Sequence, residues 1–248
     1  MSVRRSPVAA LWRGLRAIGH VLHGLWVIRS EFGRLQPREC ALLVREWSRQ
    51  MLVIMGVERV VRGTPPEHGP LLLVANHISW LDILVMNAAH PVRFVSKADV
   101  KSWPLLGSLV TGAGTLYIER DSRRDAMRVV HQMADSLRAG DILAVFPEGT
   151  TGDGQTLLPF HANLIQAAIS VNAPVLPVGL GFVDGHTGQR SDAPLFVGDT
   201  TMLQSIWSTL RATRVQAVLH FGEPEHFAGR DRRTWAQDLR ATVAGLLK

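Results

Sequence analysis

From residue 57 onward, strand-like runs alternate with stretches of helical period. Leu71-Leu72-Leu73-Val74-Ala75 is apolar without interruption, the pattern of a strand covered on both faces. Trp80–Ala89 then reads as a helix, and Val92–Ser96 and Thr115–Ile118 as strands. Ser122–Ala139 repeats apolar residues at helical spacing, with Ser122 suited to cap its start and Gly140 its end. Asp141–Phe146 is another buried strand and His161–Asn172 a helix. Val175–Gly181 reads as a strand, Pro194–Val197 as a further short one, and Val215–Phe221 as the last. Thr201–Arg211 and Arg230–Leu247 are helical. The polar, glycine-containing stretch Gly181–Ala193 reads as a surface loop. This alternation predicts a single α/β domain with a mixed, mostly parallel sheet flanked by helices.

The first 56 residues follow another pattern. In residues 8–28, Arg13, Arg16, His20 and His23 are separated by steps of 3, 4 and 3 and share one helical stripe. Leu11, Leu15, Ile18, Leu22, Leu25 and Trp26 occupy the other faces, and Trp12 and Trp26 stand near the two ends. Central arginines make a bilayer span costly and break the apolar core a secretory signal needs. The pattern predicts an amphipathic helix in the plane of a membrane, apolar face in the acyl boundary and arginines on anionic headgroups. Pro37–Val57 repeats the theme with Leu42, Leu43, Trp47, Met51, Leu52 and Met55. The competing expectation is a lid of two helices packed on the body. The division expected is 1–56, amphipathic membrane-associating helices, and 57–248, the α/β domain.

Charge sharpens this division. The 248 residues carry a formal charge of +6, 46% hydrophobic and 19% charged residues, and a mean hydropathy of +0.10. Residues 1–62 hold eleven arginines against four acids, while the rest holds 16 basic against 17 acidic groups. A nucleic-acid partner is therefore not expected, because the body is near neutral and its basic pairs read as solvated helix starts. The composition also excludes general disorder. A single cysteine, Cys40, rules out an internal disulfide and suits a reducing cytoplasmic setting. The ten histidines show no metal spacing, so no metal is expected.

Three segments carry candidate chemistry. Asn76-His77-Ile-Ser-Trp-Leu-Asp82 follows a buried strand, where α/β sheets place ligands at their carboxyl edge. A helical turn there can bring Asp82 back to the His77 imidazole, fixing one ring nitrogen and leaving the other to remove a proton. Phe146-Pro-Glu-Gly-Thr150 also follows a strand. Gly149 allows close backbone approach, and Glu148 can accept or position a hydroxyl. Gly112-Ala-Gly-Thr-Leu-Tyr-Ile-Glu-Arg120-Asp121 ends a strand with an arginine able to clamp a phosphate, or to pair with a neighbouring carboxylate.

NHISWLD, GTLYIER, FPEGT and VLPVGL resemble, in order and separation, the four boxes of the glycerolipid acyltransferases, and the 1-acyl-glycerol-3-phosphate acyltransferases in particular. The match covers roughly residues 70–180. The resemblance implies an enzyme moving a fatty acyl chain from acyl-CoA or acyl carrier protein to the free hydroxyl of a lysophospholipid, giving phosphatidic acid from 1-acyl-glycerol-3-phosphate. It implies His77 as general base, oriented by Asp82, and no acyl-enzyme. Gly114 and Arg120 fall in the box associated with the acceptor phosphate, with Lys97 as a further cation near it. Glu148, Gly149 and Thr150 fall in the acceptor box, and Pro177 in the more structural fourth. No cofactor is implied beyond the acyl donor as co-substrate. Membrane lipids are the expected surroundings, at the cytoplasmic face of the inner membrane. One position departs from the family pattern: Thr151 stands where an arginine commonly follows FPEGT. That variant resembles enzymes acylating lyso-ornithine lipid or other lysolipids, whose ammonium Asp153 could pair. An acyl-thioester hydrolase and a non-catalytic membrane-binding module are the alternatives from other classes.

Overall fold

The apolar run 71–75 sits where it must, as the middle strand of a sheet covered on both sides. A computed structural model of the chain describes residues 4–118 and 123–248. Among them the strands are β1 (Val57–Arg62), β2 (Leu71–Ala75), β3 (Arg93–Lys97), β4 (Leu116–Ile118), β5 (Ile142–Val145), β6 (Val175–Asp184) and β7 (Val215–Phe221). They lie in the order β1-β7-β6-β2-β5-β3-β4. From β6 to β4 all neighbours are parallel. β7 runs antiparallel to β6, and β1 runs parallel to β7. The expected mixed, mostly parallel sheet is the one observed.

Strand alternation divides the core. Leu71, Leu73 and Ala75 point into a layer containing α2 (Pro37–Met55), α3 (Leu81–Ala89) and the end of α7 (Met202–Arg211). Leu72 and Val74 point into the layer of α5 (Arg123–Arg138), α6 (Gln166–Val171) and α8 (Arg232–Leu246). The remaining helices are α1 (Pro7–Ser30), outside the first layer, and the short α4 (Leu106–Gly112) beside β4.

Several boundaries differ from the sequence reading. Pro194–Val197 is not a strand. It is a loop whose polar atoms bind the site: Pro194 O accepts the hydroxyls of Ser79 (2.5 Å) and Ser205 (3.0 Å), and Phe196 N–H bonds Ile78 O. β6 continues to Asp184 because β7 pairs with it along its whole second half, so the surface loop begins later than Gly181. The helix expected over His161–Asn172 is a 3-10 turn, Ala162–Ile165, followed by α6. The last helix starts at Arg232, with Asp231 accepting the amides of Arg233 and Thr234. β1 and α4 had no distinct sequence signal. Ser122 lies outside the described residues.

α1 and α2 form a helical hairpin in which the basic stripe of α1 is split between the protein and solvent. Arg13 donates to Ile54 O (3.1 Å) at the C-terminus of α2. His20 is buried, its Nε2 2.9 Å from Trp47 O, and Trp47 Nε1–H donates back to His20 O (3.0 Å). The two rings stack at 4.9 Å. Arg13 and His20 therefore face the protein, where backbone carbonyls of α2 meet them, while Arg16 and His23 are exposed. Val8, Leu11, Trp12, Leu15, Ile18, Leu22 and Trp26 face outward, each more than half exposed. Met51, Leu52 and Met55 of α2 belong to the core. Among the described residues no helix is long and apolar enough to cross a membrane.

Candidate active site

Because β2, β5 and β3 are parallel neighbours, the segments leaving their C-terminal ends meet at one edge. His77 follows β2, Phe146–Gly149 follows β5, and Lys97 ends β3. The chain turns at Ser79, whose hydroxyl accepts Leu81 N–H (3.1 Å) as α3 begins. That turn returns Asp82, in the first turn of α3, to the imidazole. Asp82 Oδ2 lies 2.8 Å from His77 Nδ1 and also accepts the amides of Ile78 (2.7 Å) and Ser79 (2.9 Å). Asp82 is fully buried, and the His77 side chain keeps 18% of its surface exposed. A carboxylate held by two amides and facing Nδ1 keeps the proton there and makes Nε2 the basic nitrogen. The His77 ring stacks on Phe146 at 4.0 Å, so its plane is set by β5 as well.

Glu148 has a different place from the one its sequence position suggests. It is buried, and both carboxylate oxygens accept backbone amides: Oε1 from His77 (2.8 Å), Oε2 from Leu158 (2.7 Å). It grips the backbone of the histidine rather than presenting itself to a substrate. Burial pushes its carboxyl above the ordinary glutamate range, and the amides of His77 and Leu158 oppose that shift without cancelling it. Gly152 completes the grip by donating to His77 O (2.7 Å). A Cβ on Gly152 would come within 3.3 Å of Glu148 Oε2. Gly149 has φ +73° and closes a turn onto Phe146 O (3.0 Å), a conformation glycine adopts without strain. Thr150 is exposed next to it.

The other expected site residues divide. Lys97 is exposed at the same edge, two strands from β2, or about 10 Å at ordinary strand spacing. Gly114 is not at that edge. It precedes β4, at the amino edge of the parallel strands, where its carbonyl accepts Arg93 Nε–H (3.0 Å). Arg93 there also pairs with Asp141 and donates to Ser136 Oγ. The glycine belongs to a structural corner a strand's length from His77. Arg120 lies outside the described residues. Asp153 is exposed, with Oδ1 accepting the amides of Gln155 (2.8 Å) and Thr156 (3.2 Å), which hold its carboxyl below the ordinary range. Pro177 pairs in register with Val74 of β2, one residue short of the strand's end.

Sequence reasoning missed Gly152, Leu158 and Asn76. The Asn76 side chain exchanges two hydrogen bonds with the backbone of Leu180 (2.8 and 2.7 Å), prolonging the β2–β6 ladder just before His77. A buried-strand pattern ending in a side-chain amide is the one signal that could have pointed to it. Among the described residues no cluster of three His, Cys, Asp or Glu could hold a metal.

Comparison with known proteins gives the family. The family model described as "Acyltransferase" matches residues 56–181. The chain is 40% identical over 173 residues to the 1-acyl-sn-glycerol-3-phosphate acyltransferase of Neisseria meningitidis, covering 68% of each. It is 36% identical over 241 residues to the lyso-ornithine lipid O-acyltransferase of Pseudomonas aeruginosa, covering 94% of this chain and 91% of that one. Its fold is similar to the crystal structure of the 1-acyl-sn-glycerophosphate acyltransferase PlsC from Thermotoga maritima. That match has a TM-score of 0.63 at 18% identity and covers 94% of this chain and 97% of that one. With the family model over half its length and relatives of this identity and coverage, the chain belongs to the acyltransferase family.

Proposed function

We propose that this acyltransferase moves a fatty acyl chain from the thioester of acyl-CoA or acyl carrier protein to the free hydroxyl of a lysophospholipid, with His77 as general base. The observation that carries the reading is the His77–Asp82 pair: Nδ1 is held at 2.8 Å by a buried carboxylate, which leaves Nε2 for the substrate. Nε2 removes the acceptor's hydroxyl proton as the oxygen attacks the thioester carbonyl carbon. The tetrahedral intermediate collapses by breaking the C–S bond, and the imidazolium returns the proton to the departing sulfur. The products are an ester and a free thiol, with no covalent enzyme intermediate. Positioned bases of this kind contribute about 10²–10⁴-fold.

The first acceptor reading is 1-acyl-glycerol-3-phosphate, supported by the names of the Neisseria relatives and by Lys97, an exposed cation at the edge of His77. A specific observation favours lyso-ornithine lipid as a second. The Gly152–Gly154 loop lies on the histidine segment: Gly152 N–H bonds His77 O, and a Cβ on Gly154 would come within 3.0 Å of Ile78 Cγ2. It thereby sets the exposed Asp153 carboxylate beside the site, where an ammonium headgroup would find it, while Thr151 supplies no cation. The enzyme works at the cytoplasmic face of the inner membrane, held there by the outward apolar face of α1.

Purified protein given acyl-CoA and a panel of 1-acyl-glycerol-3-phosphate, lyso-ornithine lipid and other lysolipids should release thiol only with an acceptor, and product mass identifies which. His77→Ala should lower that rate by about 10²–10⁴-fold. Thiol release without acceptor would make the protein a thioester hydrolase. Full activity in His77→Ala would remove the histidine from the mechanism.

A further inference from the structure

Between the end of β3 and the start of α4 the chain makes a turn that its own side chains make costly. Leu105 has φ +62° and ψ −50°, and Leu106 N–H donates to Pro104 O at 2.7 Å. That is the γ-turn of positive φ, rare and strained for any residue with a side chain. Non-glycine residues in such regions persist where the surroundings enforce them, and they cluster at functional segments. Here the strained backbone displays two large apolar groups to solvent: Trp103 is 38% and Leu105 52% exposed. A soluble body gains nothing from holding a leucine outward on a strained turn.

Three placements say what the pair faces. The turn follows β3, whose C-terminal end shares the sheet edge with His77. It enters α4, which packs directly on α1: a Cβ on Gly24 would come within 3.1 Å of Leu109 Cδ2, and one on Gly112 within 2.6 Å of Ile28 Cδ1. The apolar pair thus stands beside the helix whose outward face is Leu11, Trp12, Leu15, Ile18, Leu22 and Trp26. Finally, the 3-10 turn Ala98–Ser102 that leads into it carries Lys101, exposed, its ammonium 6.0 Å from the Tyr117 ring centre. Tryptophan and leucine flanked by lysine is the chemistry of an interfacial anchor on an anionic leaflet.

We propose that the Trp103–Leu105 turn is a bilayer wedge belonging to the catalytic body. Its two side chains enter the interfacial zone of an anionic leaflet beside α1 and set the edge bearing His77 against the surface that holds its substrate. The inference rests on the lysolipid reading above. It differs from anchorage by α1 alone in adding a second contact, away from the axis of α1, beside the sheet edge that bears His77.

The test uses the full chain with Cys40→Ser, which leaves no native thiol. An environment-sensitive fluorophore is attached through Leu105→Cys, or through Glu67→Cys in the loop at the opposite edge of the sheet. With vesicles of phosphatidylcholine and phosphatidylglycerol, the label at 105 should shift to the blue and be quenched by nitroxides on the lipid. The label at 67 should do neither. A second variant separates anchoring from folding. Leu105→Gly relieves the positive-φ strain, so its melting temperature should equal or exceed that of the parent. Its partition onto vesicles should nevertheless weaken about fivefold. Its rate on vesicle-borne lysolipid should fall by the same factor, with no change on a short-chain acceptor in solution. A label at 105 that stays in water while the protein is on vesicles overturns the wedge, as does absence of vesicle binding. A blue shift that appears without lipid as protein concentration rises also overturns it, and assigns the face to a second copy of the chain. Failure of the wild type to acylate any lysolipid would instead overturn the reaction, whatever the labels report.

Discussion

At the scale of residues the site is a histidine whose own peptide group is held from both sides. Glu148 takes its N–H and Gly152 its C=O, so the imidazole is aimed by its backbone as well as by Asp82. This gives Glu148 a pH signature. Burial raises its folded-state value above the unfolded one, so the favourable contribution of the protonated form is fully present below the ordinary glutamate value of about 4.3. It is lost as pH rises through the elevated folded value. Activity runs the other way, because a proton on either oxygen opposes the amide of His77 or of Leu158. Denaturant melts across that window should show wild-type stability falling with rising pH, and Glu148→Gln should lack the slope. The same variant should lose about 10²-fold in kcat, with KM for the acceptor nearly unchanged. A large rise in KM alone would return Glu148 to substrate binding.

Elements were legible where a single pattern decided them. Leu71–Ala75 and Val215–Phe221 could be read because burial on two faces, or on alternate ones, leaves a local trace. The His77–Asp82 pair could be read because both lie within one turn of chain. What could not be read depends on partners far along the sequence. The amide that Glu148 meets is 71 residues away. Gly114 lies in the right box but at the wrong edge, since it precedes the three-residue β4 and so sits at the amino end of the parallel strands. Arg13 and His20 of the α1 stripe point inward because Ile54 and Trp47, 41 and 27 residues on, supply carbonyls to them. Trp47→Phe keeps the stack on His20 but removes the Nε1–H donor, at a cost of about 1 kcal/mol. Thermal melts should drop by about 2–4 °C, and vesicle affinity should stay the same.

For the whole molecule, the inward placement of part of the basic N-terminus changes how its charge acts. Of the N-terminal arginines, Arg5 and Arg13 are engaged with backbone carbonyls, while Arg16, Arg29, Arg38 and Arg49 remain exposed. Binding to anionic vesicles should therefore depend on salt less steeply than an excess of seven charges implies, and more on apolar contact. Trp12→Ser combined with Leu15→Ser and Ile18→Ser should weaken vesicle binding by about 10²-fold, with the melting temperature unchanged because all three face outward. Equal vesicle affinity in that variant would show that the outward face is not the anchor. Removing residues 1–56 would be a poorer test, since Met51, Leu52 and Met55 go with them and open the core.

The clasp between the two ends of this architecture also sets an order of events. Arg5 donates to Leu210 O and Thr213 O and pairs its backbone N–H with Arg211 O, across some 205 residues. At ribosomal speeds of about 5–20 residues per second, α1 emerges roughly 10–40 s before the carbonyls at the end of α7 that will receive that arginine exist. During that interval its apolar face is complete and its fastening to the body is not. The nascent helix is thus free to find its surroundings first, and the catalytic body is assembled afterwards onto a helix whose position is already chosen.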